Sequence, residues 1–459
     1  MKDELLALSR KSVRTNTYTT RILQFGEGNF LRAFADWMIH EMNQKADFDA
    51  GVIVIQPIDK GLVNVLNDQD GLYTLYLNGI KDGKAQSKHQ LIDCIQKGID
   101  PYLDYNAYLN EAFNPDLRFV ISNTTEAGIS HKPGDQLDDR PPSSFPAKLT
   151  VWLLERYKRF RGAGDKGLVF IPCELIDRNG DNLKRIVLQY AQEWKLEQGF
   201  IDWINKHNTF CNTLVDRIVP GYPTTKVDAI AQELGYLDQL LVEGEMFHLW
   251  VIEGPDSVKR GFPSEIAGLN VIFTEDMQPY RTRKVRILNG AHTSLVPVGY
   301  LYGIDKVRES VEDKTVGRFL EEAIFREICP TMEMPQEELH AFANDVLDRF
   351  RNPYLEHALV SISLNSVSKY RTRVLPSVLA YIEGGQGSPK RLLFSLAALL
   401  AFYKGDRNGE PIPLNDDQDV LDFFKTQWNT NGQDLPALVK ASLSNKSFWG
   451  MDLTVHQEL

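Results

Sequence analysis

Five short apolar runs punctuate the first part of the chain, at residues 21–25, 51–56, 117–123, 167–174 and 248–253. Each has the length of a strand, and an unbroken apolar run marks a strand covered on both faces. Between them, residues 144–160 and 182–194 repeat apolar positions every three to four residues, the helical period. Strands alternating with helices predict a doubly wound parallel sheet, an α/β fold. Residues 73–95 break the alternation: strand-like segments flank the turn pairs Asn78-Gly79 and Asp82-Gly83, so an antiparallel excursion is expected there. Beyond residue 280 the texture turns helical, with helices predicted over 285–301, 316–328, 336–349, 389–403, 417–428 and 435–443. The pattern divides the chain into a Rossmann-like dinucleotide-binding domain over 1–275 and a mostly α-helical substrate-binding and catalytic domain over 276–459.

The first strand runs straight into Phe25-Gly26-Glu27-Gly28-Asn29-Phe30-Leu31-Arg32. Apolar positions at Phe30, Leu31, Phe34, Trp37, Met38 and Ile39 start a helix after Gly28. A glycine turn between strand and helix lets backbone approach a pyrophosphate, whose charge the helix N-terminus favours. The turn is G-x-G without the third glycine of the usual fingerprint, so its placement carries the reading. Arg32 is a candidate for a phosphate. After the second strand, where an acidic residue commonly holds the ribose hydroxyls, the chain offers Gln56-Pro57-Ile58-Asp59, which makes Asp59 the ribose candidate.

A second constellation opens the helical part: Lys284-Val285-Arg286-Ile287-Leu288-Asn289-Gly290-Ala291-His292. On an α-helix Asn289 and His292 share a face, and the long stem of Lys284 reaches toward them from just over one turn away. A desolvated lysine exchanges a proton with a carbonyl or alcohol oxygen near neutral pH. An amide donates to that oxygen as charge develops on it. These residue types fit carbonyl reduction; the bland alternative is a set of capping or solvent-facing side chains.

Composition narrows the partners. The 459 residues have a net charge of −11 with no basic tract, which excludes phosphate-backbone binding to nucleic acid. The four cysteines, Cys94, Cys173, Cys211 and Cys329, lie far apart and make neither a disulfide framework nor a metal pair, so buried reduced thiols and no metal are expected. The longest apolar stretch, 392–403, falls short of the roughly 20 residues that cross a bilayer. The charged start Met1-Lys2-Asp3-Glu4-Leu5 lacks the apolar core of a signal peptide. A cytoplasmic enzyme of a small molecule is expected, as a monomer or small homo-oligomer.

Taken in order, several blocks resemble the mannitol dehydrogenase family of long-chain polyol and sugar-acid dehydrogenases. They are the glycine turn, Gln69-Asp70-Gly71-Leu72-Tyr73-Thr74-Leu75, Thr125-Glu126-Ala127-Gly128, Val215-Asp216-Arg217-Ile218-Val219-Pro220, and the K-x4-N-x2-H set at Lys284, Asn289 and His292. The resemblance covers nearly the whole chain. It implies zinc-independent chemistry with NAD or NADP, of which NAD is the expected cofactor, held by Phe25, Gly26, Gly28, Asn29, Phe30, Arg32, Asp59, Thr125 and Glu126. It implies Lys284 as acid/base, Asn289 as the group polarising the carbonyl, and His292 and Asp216 as substrate-orienting residues. An ion pair with Arg217 or a turn cap is the plainer reading of Asp216.

Departures from the polyol members bear on the substrate. Their Cys-Asp-Asn-Leu-Pro motif, whose asparagine is a second oxygen ligand, is replaced by Cys173-Glu174-Leu175-Ile176-Asp177. Their glutamate three residues before the lysine is replaced by Arg281. Arg281, Arg283 and Arg286 suggest a basic pocket edge, and Lys369, Arg371 and Arg373 add further cations, Lys369 matching a substrate-contacting position of the family. At least half of these are expected to face solvent. Cations at the site suit a carboxylate, hence a sugar acid. A neutral polyol substrate within the same family, and a non-catalytic nucleotide sensor on the same fold, are the competing readings.

Overall fold

A computed structural model describes residues 5–81, 83–125 and 127–457. Met1 to Glu4, Asp82 of the expected turn, Glu126, Glu458 and Leu459 lie outside the described residues, and so does what the sequence suggests for them. The chain divides into two compact units, Met1–Asn78 with Ser87–Met277, and Gly79–Gln86 with Gln278–Leu459.

The first unit is built on a six-stranded sheet of β1 (Thr20–Phe25), β2 (Gly51–Ile55), β3 (Ile95–Ile99), β4 (Phe119–Ser122), β5 (Val169–Pro172) and β6 (Thr209–Phe210). Their spatial order is β3-β2-β1-β4-β5-β6, and every pair is parallel. This is the doubly wound order that reverses at β1, between β2 and β4. Alternation along each strand explains why both faces are covered. Ile22, Val52, Val54 and Ile121 join one core with Phe34, Trp37 and Met38 of the helical segment after β1. Their neighbours Leu23, Ile53, Ile55 and Val120 join a second core with Trp152 of helix Phe145–Phe160 and Ile186 of helix Asn179–Glu193. A strand with an apolar residue at every position has two apolar faces, and each needs a helical layer.

The run at 248–253 forms strand Leu249–Glu253, but in a different sheet from the one expected. It pairs antiparallel with Asn212–Asp216 and parallel with Val271–Thr274 in a separate three-stranded sheet. The segment 73–95 gives adjacent strands Tyr73–Lys81 and Lys84–Ile92, and Val242–Glu245 joins the first of them in parallel.

Beyond Gln278 the second unit is helical apart from one short antiparallel pair, Asp406–Arg407 with Glu410–Pro411. Its central helix, Gly290–Tyr302, is buried along most of its length, as an all-round apolar helix must be. It packs against Lys390–Phe402, Lys314–Ala323, Leu359–Ile362 and Ser366–Arg373. Among the described residues no helix is long and apolar enough to cross a membrane.

Candidate active site

The turn after β1 shows why each glycine is there. Gly26 has φ +114°, and a Cβ on it would stand 2.7 Å from the carbonyl oxygen of Asn123 after β4. The fold itself therefore requires glycine at 26. Gly28 differs: its φ is −68°, it is exposed, and a Cβ there would meet nothing within 4 Å. Nothing in the chain demands glycine at 28, and the space over it is open, a cradle that a side chain would fill. Asn29 beside it is exposed and Phe30 is half-buried against Phe34 at 4.9 Å.

Other residues expected at this turn are used differently. Phe25 is fully buried, packed on Phe145 at 4.8 Å and Tyr108 at 6.2 Å, so its ring belongs to the core and cannot reach a cofactor. Arg32 is buried too. Its guanidinium donates to the carbonyl oxygens of Leu240 and Glu27 (3.1 Å to the latter) and to Oδ1 of Asn29 at 2.6 Å. Buried and committed to three internal acceptors, Arg32 braces the turn rather than presenting a cation to a phosphate, a correction to the expectation from sequence.

Around the carboxyl ends of the strands the loops are polar and tightly bound. Glu27 is buried and accepts from the amide of Leu62 at 3.1 Å, and burial raises its pKa. Its Oε2 has no partner among the described residues. Asp59 is exposed in the loop after β2, where Gln56 donates to Asp100 at 3.1 Å. Thr125 is exposed with φ +93°, a strained conformation for a β-branched residue and one that clusters at functional sites. Glu174 is buried at the end of β5 and ties it to β4, accepting from Ser122 Oγ, Thr124 Oγ1 and the Thr124 amide, each at 3.0 Å. Ile58, Tyr102 and Leu103 are apolar yet exposed in the loops after β2 and β3. Sequence reasoning passed over them because a lone apolar residue in a loop carries no periodic signal.

Asp216 is buried at the end of strand Asn212–Asp216. Arg217 lies over the Trp37 ring at 4.1 Å and donates to the carbonyl oxygens of Ala33 (2.5 Å), Phe247 (3.0 Å) and Met246 (3.3 Å), so its guanidinium is a packing element.

In the helical unit the segment Lys284–Asn289 is a π-helix, followed by α-helix Gly290–Tyr302. The amide of Gly290 reaches back five residues to the carbonyl of Val285. In that hydrogen-bond pattern residues five apart lie over one another. Lys284 and Asn289 are five apart; on the α-helix assumed from sequence they would diverge by roughly 140°, at 3.6 residues per turn. A π-bulge of this kind is rare and concentrates at functional sites. Both side chains are half-buried.

His292 sits in the first turn of the following helix, its ring stacked on Phe350 at 4.1 Å and edge-on to His357 at 5.3 Å. Its Nε2 is buried with no hydrogen-bond partner among the described residues. Desolvation first, then the charges of His357, Arg349, Arg373 and Lys369, hold its pKa well below the ordinary value, so the imidazole is neutral. A neutral ring with a free, buried nitrogen is ready to bind a hydroxyl or carbonyl oxygen.

The cations separate into two groups. Lys369 donates to the carbonyl of Ile362 at 2.8 Å, which leaves two ammonium protons for another acceptor. Its pKa is lowered by burial and by Arg373. Arg349, unremarked in the sequence because a cation in the last turn of a helix is usually a dipole partner, joins Lys369 and Arg373 in the field at His292. Arg286 instead reaches the Thr331 carbonyl at 3.3 Å, Arg283 is buried over the rings of Phe342 and Tyr280, and Arg371 is exposed, so these do not form the basic edge suggested by the sequence. Arg281 is half-buried on helix Gln278–Arg283. No group of side chains suited to a metal ion is present among the described residues.

The relatives of this chain define its class, an oxidoreductase acting on a CH–OH group. Residues 20–264 match the mannitol dehydrogenase Rossmann domain and residues 276–459 the mannitol dehydrogenase C-terminal domain, so the chain belongs to the mannitol dehydrogenase family. It is 51% identical over 436 residues to a protein of Bacillus subtilis (strain 168) named altronate oxidoreductase, covering 95% of this chain and 89% of that one. A second altronate oxidoreductase, from Klebsiella pneumoniae, is 49% identical over 451 residues, covering 97% and 93%. Among solved structures, a D-sorbitol dehydrogenase in substrate-free form superposes with a TM-score of 0.78 at 21% identity, covering 97% of this chain and 99% of that one. The Pseudomonas fluorescens mannitol 2-dehydrogenase in ternary complex with NAD and D-mannitol gives 0.65 at 23% identity, covering 96% and 90%. These two share the fold.

Proposed function

We infer that the protein is an NAD-dependent tagaturonate reductase, or altronate oxidoreductase, interconverting D-tagaturonate and D-altronate. The observation that carries this reading is the concentration of cations at His292. Lys369, Arg373 and Arg349 act on a neutral imidazole there, a setting that suits a sugar bearing a carboxylate better than a neutral polyol. The names of the relatives at about half identity support the same substrate.

The glycine turn fits a dinucleotide, because the open space over Gly28 lies at the start of the helical segment beside the reversal point of the sheet. Gly26, Gly28, Asn29 and Phe30 would hold it there, with Asp59 toward a ribose and Thr125 and Glu126 completing the set. NAD supplies the hydride chemistry when bound. The residues of the chain supply the rest. Lys284 gives a proton to the ketone oxygen in reduction and takes it from the hydroxyl in oxidation. Asn289 donates a hydrogen bond to the same oxygen, stabilising the charge that develops on it. His292, held neutral, orients a neighbouring hydroxyl through Nε2, and Asp216 orients the sugar further. Lys369 and Arg281 pair with the carboxylate. A cytoplasmic location and a monomer or small homo-oligomer complete the reading.

The test is NADH oxidation with tagaturonate, fructuronate, fructose and fructose 6-phosphate offered in parallel to the purified protein. Preference for tagaturonate is expected. Preference for fructuronate or for a neutral ketose would replace the substrate while keeping the family, and activity on none of them would favour a nucleotide-sensing role.

A further inference from the structure

Two helices of the helical unit begin with a lysine, the wrong charge for that position. Lys314 opens helix Lys314–Ala323 and Lys390 opens helix Lys390–Phe402, and cations are disfavoured at the positive end of a helix. Neither lysine has a hydrogen-bond or ion-pair partner among the described residues. The backbone amides of both helix starts are already satisfied: Asp313 caps Thr315 and Val316 at 2.8 Å, and Glu327 caps Arg391 and Leu392 at about 3 Å. The lysines are therefore not acting for their own helices. Both line one open cleft of about 540 Å³, together with Arg318 and Arg391. A single carboxylate, Glu322, lines it as well, bonded to Arg391 and at 3.2 Å to Nε of Arg318. Glu327 is also ion-paired to Arg391 at 3.1 Å, so four cations against two carboxylates leave two positive charges, those of the unpartnered lysines, in a protein whose net charge is −11. The remaining wall is aromatic: Phe319 and Phe394 meet edge to face at 5.9 Å, and Phe394 is 57% exposed.

Exposed local choices that break a helix rule without an internal gain point to a partner. We propose that this cleft is a second ligand site, for a small polyanion carrying a flat ring, namely a nucleoside polyphosphate. The volume suits a ligand of that size. The two lysines would take the phosphates as point charges, Arg318 would add the guanidinium nitrogens that its bond to Glu322 leaves free, and the face of Phe394 would take the base, while Arg391 stays paired with Glu322 and Glu327. A long polyanion such as RNA fits less well, because it would have to continue across an acidic surface.

The experiment is calorimetric titration of the full chain, kept saturated with NADH so that any nucleotide site at the glycine turn is filled, with ATP, inorganic pyrophosphate and adenosine. ATP is expected to bind most tightly, pyrophosphate more weakly and adenosine least. Lys314→Glu/Lys390→Glu should weaken ATP by at least about tenfold, the scale of losing charge-assisted contacts, and Phe394→Ser should weaken ATP without weakening pyrophosphate. Misfolding is guarded against by the same logic, since glutamate suits a helix N-terminus and the double variant should melt no lower than the parent in the absence of ligand. ATP failing to bind the NADH-saturated protein, or binding equally to the double variant, would overturn the site. Pyrophosphate binding as tightly as ATP would overturn the assignment to nucleotides.

Discussion

Gly26 and Gly28 stand two residues apart in one turn, yet the structure gives opposite reasons for them, and substitution should separate the two. For Gly26→Ala the perturbation is internal. The new Cβ would lie 2.7 Å from a backbone oxygen at φ +114°. Holding a non-glycine residue in such a conformation costs on the order of 1–3 kcal/mol, and the backbone contact adds to it. At about 2–4 °C per kcal/mol for a domain of this size, the melting temperature should fall by roughly 4–10 °C. For Gly28→Val nothing within 4 Å opposes the side chain and φ is −68°, so stability should change by no more than about 1 kcal/mol, the scale of a helix-cap substitution. What valine fills is the space offered to a pyrophosphate. Losing the close approach of one charge-assisted hydrogen bond costs about 1.5–3 kcal/mol, so the NADH dissociation constant should rise roughly ten- to a hundredfold. Thermal melts and NADH fluorescence titrations of both variants give the answer. A Gly28→Val protein that melts normally and binds NADH within twofold of the parent would show that the turn is merely a connection between strand and helix.

Lys284→Ala should lower turnover by at least about a hundredfold with little change in NADH affinity, and near-normal turnover would remove Lys284 from the chemistry. Lys369→Met should reduce the specificity constant for a hexuronate roughly ten- to a hundredfold, and that for the corresponding neutral ketose far less; equal losses would mean that Lys369 does not read the carboxylate. His248 accepts from the Asn270 amide at 3.0 Å through Nε2, and desolvation followed by Arg217 lowers its pKa to about 3. The unfolded chain thus binds this proton first, so the contribution of His248 to stability is constant above pH 6.5 and falls as pH drops below it, by up to about 1.4 kcal/mol per unit. Urea melts of the parent and of His248→Gln from pH 7.5 to 4 should therefore differ in slope by that amount below pH 6.5, and equal slopes would refute it.

Four strands of the main sheet, β1, β2, β4 and β5, were readable as short apolar runs, whereas β3 and β6 were not, because Ile95–Ile99 carries Gln96 and Lys97 and Thr209–Phe210 is only two residues long. Which strands pair was less readable. Residues 248–253 have the same texture as β2, yet Leu249–Glu253 belongs to another sheet, since a strand's composition reports burial and not its neighbours. At the candidate site the residue types were visible and their uses were not. Arg32 looks like a phosphate ligand in one dimension, and only the carbonyls of Glu27 and Leu240 reveal its internal duty. Phe25 continues the strand's alternation into the core, which a motif centred on glycines obscures. Arg349 acts at His292 from a helix more than fifty residues along the chain, a proximity that no local pattern encodes.

The π-helical segment Lys284–Asn289 accommodates one residue more than an α-helix would over the same rise. A variant that kept all of its residues but closed the segment into a regular α-helix would gain hydrogen bonding and keep every side chain of the lysine, asparagine and histidine set, yet it would swing Lys284 by about 100° away from Asn289. A lineage that instead lost one residue between the two would leave them four apart, about 40° from each other on an α-helix, and so would keep the pair while shedding the bulge. The five-residue spacing is therefore tied to the bulge that accommodates it. Substitutions that straighten the segment should separate the proposed proton donor from the amide without removing either.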